Sequence, residues 1–198
     1  CAGQTVVFHC AARAGAWVLE DDCDSEFRWE GHPLPPLATL DRGGRVIYCG
    51  SFSKTLAPAL RLGFLVTPVP LVPAFVRLHT LMDRGGDALG QATLAGFMAA
   101  GLLAPHIRRM RTEYAARRAA LLAALARHAP MLRPVAAPGG LHLTVTLPDG
   151  MNEAAIVAAC RARDLAVQPL AAYYWGMPRL SGLVLGFATG LLSVRRAM

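Results

Sequence analysis

The chain has 198 residues, 54% of them hydrophobic and 17% charged, with a formal net charge of +7, which excludes disorder and allows one large or two small domains with a real core. No apolar run reaches the roughly 18 uninterrupted residues of a membrane span, so no membrane partner is expected. Five scattered cysteines, Cys1, Cys10, Cys23, Cys49 and Cys160, form no Cys-x-x-Cys pair and have no histidine at ligand spacing, which reads as reduced cytoplasmic thiols and no metal site.

In chain order, "GAWVLEDD" is apolar over residues 16–19 and then acidic, the pattern of a buried parallel strand whose C-terminal end opens on a site. "RVIYCGSFSK" repeats it, with a buried strand at 46–49 followed by small polar residues, and "LRLGFLVTP" predicts a third short strand at 62–66 closed by prolines. From Leu71 the character turns helical. "LVPAFVRLHTLMD" ends near Gly85 and Gly86, "ALGQATLAGFMAAGLL" follows, and "PHIRRMRTEYAARRAALLAALARHA" is long, alanine-rich and amphipathic. Much of the positive charge sits on this last helix, and with no aromatic or asparagine platform among the arginines it reads as a solvated face rather than a nucleic-acid surface. After Pro130 come the alternating strand "GGLHLTVTLP", a helix in "MNEAAIVAACRARD", a short strand near "LAVQP" and a final strand "GLVLGFA". The pattern predicts an α/β fold in which residues 1–70 complete a mostly parallel sheet, 71–130 form a helical connection and 131–198 a small C-terminal α/β domain.

Lys54, in "GSFSKTLAPALRLGF", is the only lysine of the chain; every other permanent cation is arginine. A guanidinium stays protonated, whereas an amine can lose its proton and attack a carbonyl, so a position that kept lysine points to amine chemistry. Chance survival on a surface loop is the alternative. Ser51 and Ser53 place hydroxyls just before Lys54, Arg61 follows, and Asp21 stands at the end of the neighbouring predicted strand, so that amine, carboxylate and a phosphate anchor converge on one rim of the sheet. The set suits pyridoxal 5'-phosphate, which needs a lysine for its aldehyde, a carboxylate for its pyridine nitrogen, and an arginine with hydroxyls for its phosphate.

The stretch "VLEDDCDSEFRWEGHPLPPLATLDRGGRVIYCGSFSKTLAPALRLGFLVTP" resembles the aminotransferase-like domain of MocR-type (GntR family) regulators, within aminotransferase class I and II. The resemblance continues through "GGLHL" and "GLVLGFA". It implies fold type I of the pyridoxal phosphate-dependent transferases, with the large domain only partly present and the chain truncated at its N-terminus. It implies further that Lys54 forms the internal aldimine, that Asp21 partners the pyridine nitrogen, and that Ser51 with Arg61 anchors the phosphate. Cys23 stands where the family has a tyrosine against the ring hydroxyl, and Val184 where related enzymes hold the substrate carboxylate with an arginine; Arg179 is the nearby candidate for that role. Two functions are implied: transaminase-type chemistry on an amino acid or amine, or effector sensing in a regulator whose winged helix, the part that would bind DNA, is missing from this chain. An inactive truncated fragment is the third reading. The family resemblance also implies a homodimer.

Overall fold

A computed structural model describes residues 2–32 and 34–188. The last ten residues of the segment expected at 131–198 therefore lie outside the described part. The chain divides into two compact units, one of residues 1–26 and 32–108 and the other of residues 27–31 and 109–198.

The first unit opens with helix α1 (Ala2–Ala14). Gly15 ends it at φ +64°, with Ala16 N–H donating to Ala11 O at 2.9 Å and Gly15 N–H to Ala12 O at 3.4 Å. This paired closure needs a left-handed residue just past the helix, a conformation that glycine adopts without a Cβ penalty. Strands β1 (Val18–Asp22) and β2 (Val46–Ser51) run parallel, with Asp21 opposite Cys49 and Asp22 opposite Gly50. Between them lies the short helix α2 (Leu37–Leu40). The Glu20 carboxylate accepts from Leu37 N–H at 2.7 Å and Ala38 N–H at 3.0 Å, satisfying two donors of the first turn of α2. Asp41 closes the crossover by accepting from the backbone N–H groups of Gly43, Arg45 and Val46.

Strand β3 (Gly63–Val66) returns antiparallel on β2, because residues 52–62 form a compact loop rather than a crossover helix. The apolar sequence of β3 reads as a buried strand, yet all four of its residues are exposed. In the described sheet β3 is an edge strand, paired only with β2, so its apolar side chains have no layer above them within this unit. Only Val46 is buried among the apolar residues of the three strands. Helices α3 (Val72–Asp83) and α4 (Ala88–Ala99) follow, with Asp87 accepting from Gly90 N–H to cap α4.

Helix α5 (Leu103–His128) begins in the first unit and continues into the second. The second unit holds an antiparallel sheet in the order β4 (Arg133–Pro134), β5 (His142–Thr146), β7 (Gly182–Gly186), β6 (Val167–Pro169), with helix α6 (Glu153–Arg161). The alternation in "HLTVT" is realised: Leu143 and Val145 enter the core while His142 faces out. Phe27, fully buried, joins this core from the far end of the sequence together with Trp29. Phe27 O accepts from Gly140 N–H at 2.9 Å, and Trp29 Nε1–H donates to Gly140 O at 2.7 Å. Arginines on α5 that were expected on a solvated face are in part engaged: Arg117 donates to Ala188 O at 2.6 Å and to Glu113 at 2.9 Å. Among the described residues no single helix is long and apolar enough to cross a membrane.

Candidate functional site

The site lies in the first unit, where β1 and β2 end side by side. Parallel strands present their C-terminal ends on one rim, and the turns that follow them carry the polar side chains. The end of β1 and the turn after it bring three aspartates within four positions, and each takes a separate partner. Asp21 Oδ1 accepts from the Cys23 thiol at 2.5 Å. Asp22 accepts from Tyr48 Oη–H at 2.7 Å and from Ser25 N–H at 3.2 Å, which pins the turn to β2. Asp24 Oδ2 stands 2.9 Å from Lys54 Nζ.

Lys54 sits in the turn that follows β2. Ser51 Oγ accepts from Ser53 N–H at 3.2 Å, Leu56 N–H donates to Phe52 O at 2.9 Å, and Phe52 N–H donates to Leu62 O at 3.1 Å. Thr55, next to the lysine, is buried, and its carbonyl is 2.9 Å from His106 Nε2. The turn is thus held at both ends while the Lys54 side chain stays about one-third exposed. Arg61 ends the single turn 58–60 with φ +51°. No carboxylate among the described residues forms an ion pair with it. Arg61 also lines a cavity of about 770 Å³ bordered by Phe52, His79, Asp83, Gln91 and Leu94.

The electrostatics follow from these contacts. The hydrogen bond to Asp21 is the largest of the influences that push the Cys23 thiol up to about 11, with burial and the Asp21 charge adding to it, so Cys23 is a neutral donor near pH 7. Burial raises Cys49, and the charge of Asp21 adds to that. Burial and the hydrogen bond to Asp22 push the Tyr48 phenol well above its ordinary value. Burial alone would raise Asp41, but the backbone N–H groups around its carboxylate outweigh it and hold the acid below the usual range.

The structure therefore gathers Asp21, Cys23, Ser51, Ser53 and Lys54 on adjacent turns of one unit, with Arg61 on the same loop system. Arg179 belongs to the other unit, exposed in the bend before β7, without a hydrogen bond or ion pair among the described residues. Val184 is buried in β7 between Thr144 and Gln168. Sequence reasoning passed over Asp24, although "DDCDSE" carried the signal in its third aspartate. Among the described residues no group of three or more histidine, cysteine and acidic side chains is arranged to hold a metal ion.

A parallel strand pair whose following turns carry a lysine and a carboxylate agrees with the fold that the matched solved structures show, fold type I of the pyridoxal phosphate-dependent aminotransferases. The aminotransferase class I and II profile matches residues 4–179, and the chain belongs to that family, whose cofactor is pyridoxal phosphate. Among curated proteins it is 37% identical over 177 residues to the probable rhizopine catabolism regulatory protein MocR of Rhizobium meliloti, covering 89% of this chain and 36% of that protein. It is 34% identical to the pyridoxine biosynthesis transcriptional regulator PdxR of Corynebacterium glutamicum, covering 94% of this chain and 40% of the relative. Among solved structures, kynurenine aminotransferase of Pyrococcus horikoshii matches with a TM-score of 0.83 and 29% identity over 98% of this chain and 48% of its own. LysN, the α-aminoadipate aminotransferase of Thermus thermophilus, matches with a TM-score of 0.82 and 26% identity over 94% and 49%. The chain thus spans about two-fifths of the regulators and about half of the enzymes that it resembles. The resemblance to the MocR-type regulators read from residues 18–68 holds.

The donor set fits the family's cofactor. Asp21 Oδ2 has no donor among the described residues, so the carboxylate can accept a further N–H. Ser51 Oγ uses only its acceptor side, leaving its O–H to donate. Arg61 supplies a cation that no carboxylate pairs with among the described residues, and Lys54 an amine that an arginine could not replace.

Proposed function

We propose that this chain is part of the pyridoxal phosphate-binding, effector-sensing domain of a MocR-type regulator, with residues 1–70 contributing to the cofactor-binding large domain, 71–130 connecting and 131–198 forming the small domain. Bound pyridoxal phosphate supplies an aldehyde and an electron-accepting ring. Lys54, the only lysine of the chain, would be the residue that holds that aldehyde. Asp21 would accept a hydrogen bond from the pyridine N–H and so keep the ring protonated, Cys23 would stand toward the ring hydroxyl in place of a tyrosine, and Arg61 with the Ser51 and Ser53 hydroxyls would hold the phosphate. DNA contact belongs to the remaining length of the regulators, and a second copy of the chain completes the assembly as a homodimer.

The observation that carries this reading is the placement of the chain's only lysine, Nζ beside the acidic turn at the C-terminal rim of β1. Mixing the chain with pyridoxal phosphate, reducing with borohydride and mapping the peptides is expected to place the pyridoxyl group on Lys54. No pyridoxyl group on the peptide that carries Lys54, or one that persists on that peptide in Lys54→Arg, overturns it.

Amino-group transfer with turnover is the second reading, supported by a 30% identical stretch of 162 residues in aromatic-amino-acid aminotransferase 1 of Thermococcus litoralis. With a second 2-oxo acid supplied to take up the amino group, release of the first amino acid's oxo acid over many equivalents separates the two: a sensor exchanges its ligand without accumulating oxo acid.

A further inference from the structure

We propose that Asp24 is a positioning residue for Lys54, holding the amine against the turn after β1 until an aldehyde draws it away, and so setting how readily Lys54 reacts with carbonyl compounds. The proposal rests on the reading of Lys54 as the carbonyl-reacting amine and extends it to a residue outside that set.

The geometry assigns the role to Asp24 rather than to its neighbours. Asp21 is bonded to the Cys23 thiol, and Asp22 to Tyr48 and Ser25. Asp24 has Lys54 as its partner, at 2.9 Å, and Lys54 has Asp24. Both turns are fixed independently of this contact: the first by Asp22 on Tyr48, the second by the buried Thr55 and the Leu56–Phe52 hydrogen bond. An ion pair between anchored segments is held with less loss of side-chain freedom than one between free chains.

Condensation with an aldehyde requires the ammonium to give a proton to solvent, the nitrogen to add to the carbonyl carbon, and one water to leave as C=N replaces C=O. While Nζ is held at Asp24 Oδ2 it is not free to add, so each reaction begins by opening that contact. The two side chains are 35% and 44% exposed, so water and salt screen the pair and its grip is modest. A pair of this kind slows the reaction by about two- to fivefold, and salt relieves it.

Pyridoxal, which lacks the phosphate and so leaves Arg61 out of the comparison, is the probe. The 198-residue chain is mixed with pyridoxal at low and at high salt, reduced with borohydride at timed intervals, and pyridoxyl-Lys54 is counted by peptide mass spectrometry. The single lysine separates this signal from that of the terminal amine. Asp24→Asn is expected to react about two- to fivefold faster at low salt and to lose the salt response. Asp24→Glu is expected to restore both the slower rate and the salt response, which a merely structural role would not do. The unaltered chain should itself accelerate with salt, a result that needs no variant to fold. Equal rates for Asp24→Asn and the unaltered chain, or a salt response that survives in Asp24→Asn, overturn the role of Asp24. Pyridoxyl label that never appears on Lys54 overturns instead the reading of Lys54.

Discussion

Gly50 stands opposite Phe64 on the β2–β3 ladder, and the Phe64 ring occupies the space that a Cβ at Gly50 would take. Phe64 also packs beside Phe52, at 5.5 Å between ring centroids, and Tyr48, at 5.9 Å. Gly50→Ala is expected to push the ring off the strand and lower stability by about 1 kcal/mol, toward the small end of overpacking costs because Phe64 is partly exposed and can swing outward. Gly50→Ala combined with Phe64→Ala should cost less than the sum of the two single changes, which a double-mutant cycle in urea reads directly.

Asp41 is held ionised by the backbone N–H groups around it, so its folded acid is stronger than the unfolded one. A carboxylate lowered on folding contributes stability that is present above its unfolded value, near pH 4, and is lost as the pH falls through the folded value. Asp41→Asn is expected to lower the unfolding free energy read from urea titration at pH 7 by about 1.5 to 3 kcal/mol, the range for hydrogen bonds to a charged group. The gap between variant and parent should close below about pH 4. A gap that stays constant from pH 7 to pH 3 would mean that the charge is not what matters.

Residues whose chemistry is local were legible in the sequence. The strand ends at Asp21 and Ser51, the helix run over residues 103–128 and the alternation in "HLTVT" declare themselves through period and composition. Lys54 declared itself by being alone. What escaped depends on partners far away in sequence. Phe27 and Trp29 sit between two acidic, polar stretches and look like loop residues, yet they complete the core of the second unit by pairing with residues 138–140. The partner of Lys54 lies 30 positions upstream, where Asp21, Asp22 and Asp24 are equivalent by composition and only the turn geometry tells them apart. The exposure of β3 could not be read from "GFLV", because an apolar strand looks the same whether or not another layer covers it.

Phe27 supplies the third prediction. It is fully buried and meets Tyr114 edge-on at 5.1 Å. Phe27→Ala is expected to destabilise the second unit by about 3 to 5 kcal/mol through lost burial and the cavity left behind. Trp29 packs on the same core and should report the loss as a red-shifted, more quenchable fluorescence. Unchanged quenching would mean that 27–31 is not part of that core.

The last prediction concerns Cys23, whose thiol donates to Asp21 Oδ1 and titrates at about 11. Only the thiolate attacks alkylating reagents, so a thiol raised from about 9 to about 11 carries roughly a hundredth of the ordinary thiolate at pH 7.5. Iodoacetamide should therefore modify Cys23 far more slowly than the exposed Cys10, although Cys23 is only partly covered. The hydrogen bond to Asp21 is the largest cause of the shift, so Asp21→Asn removes the charge that opposes ionisation and weakens the acceptor. Alkylation of Cys23 in Asp21→Asn should speed up at least several-fold at pH 8, with its pH–rate curve displaced to lower pH. A Cys23 that reacts as fast as Cys10 in the parent chain, or a curve that Asp21→Asn leaves in place, would show that Asp21 does not hold the thiol.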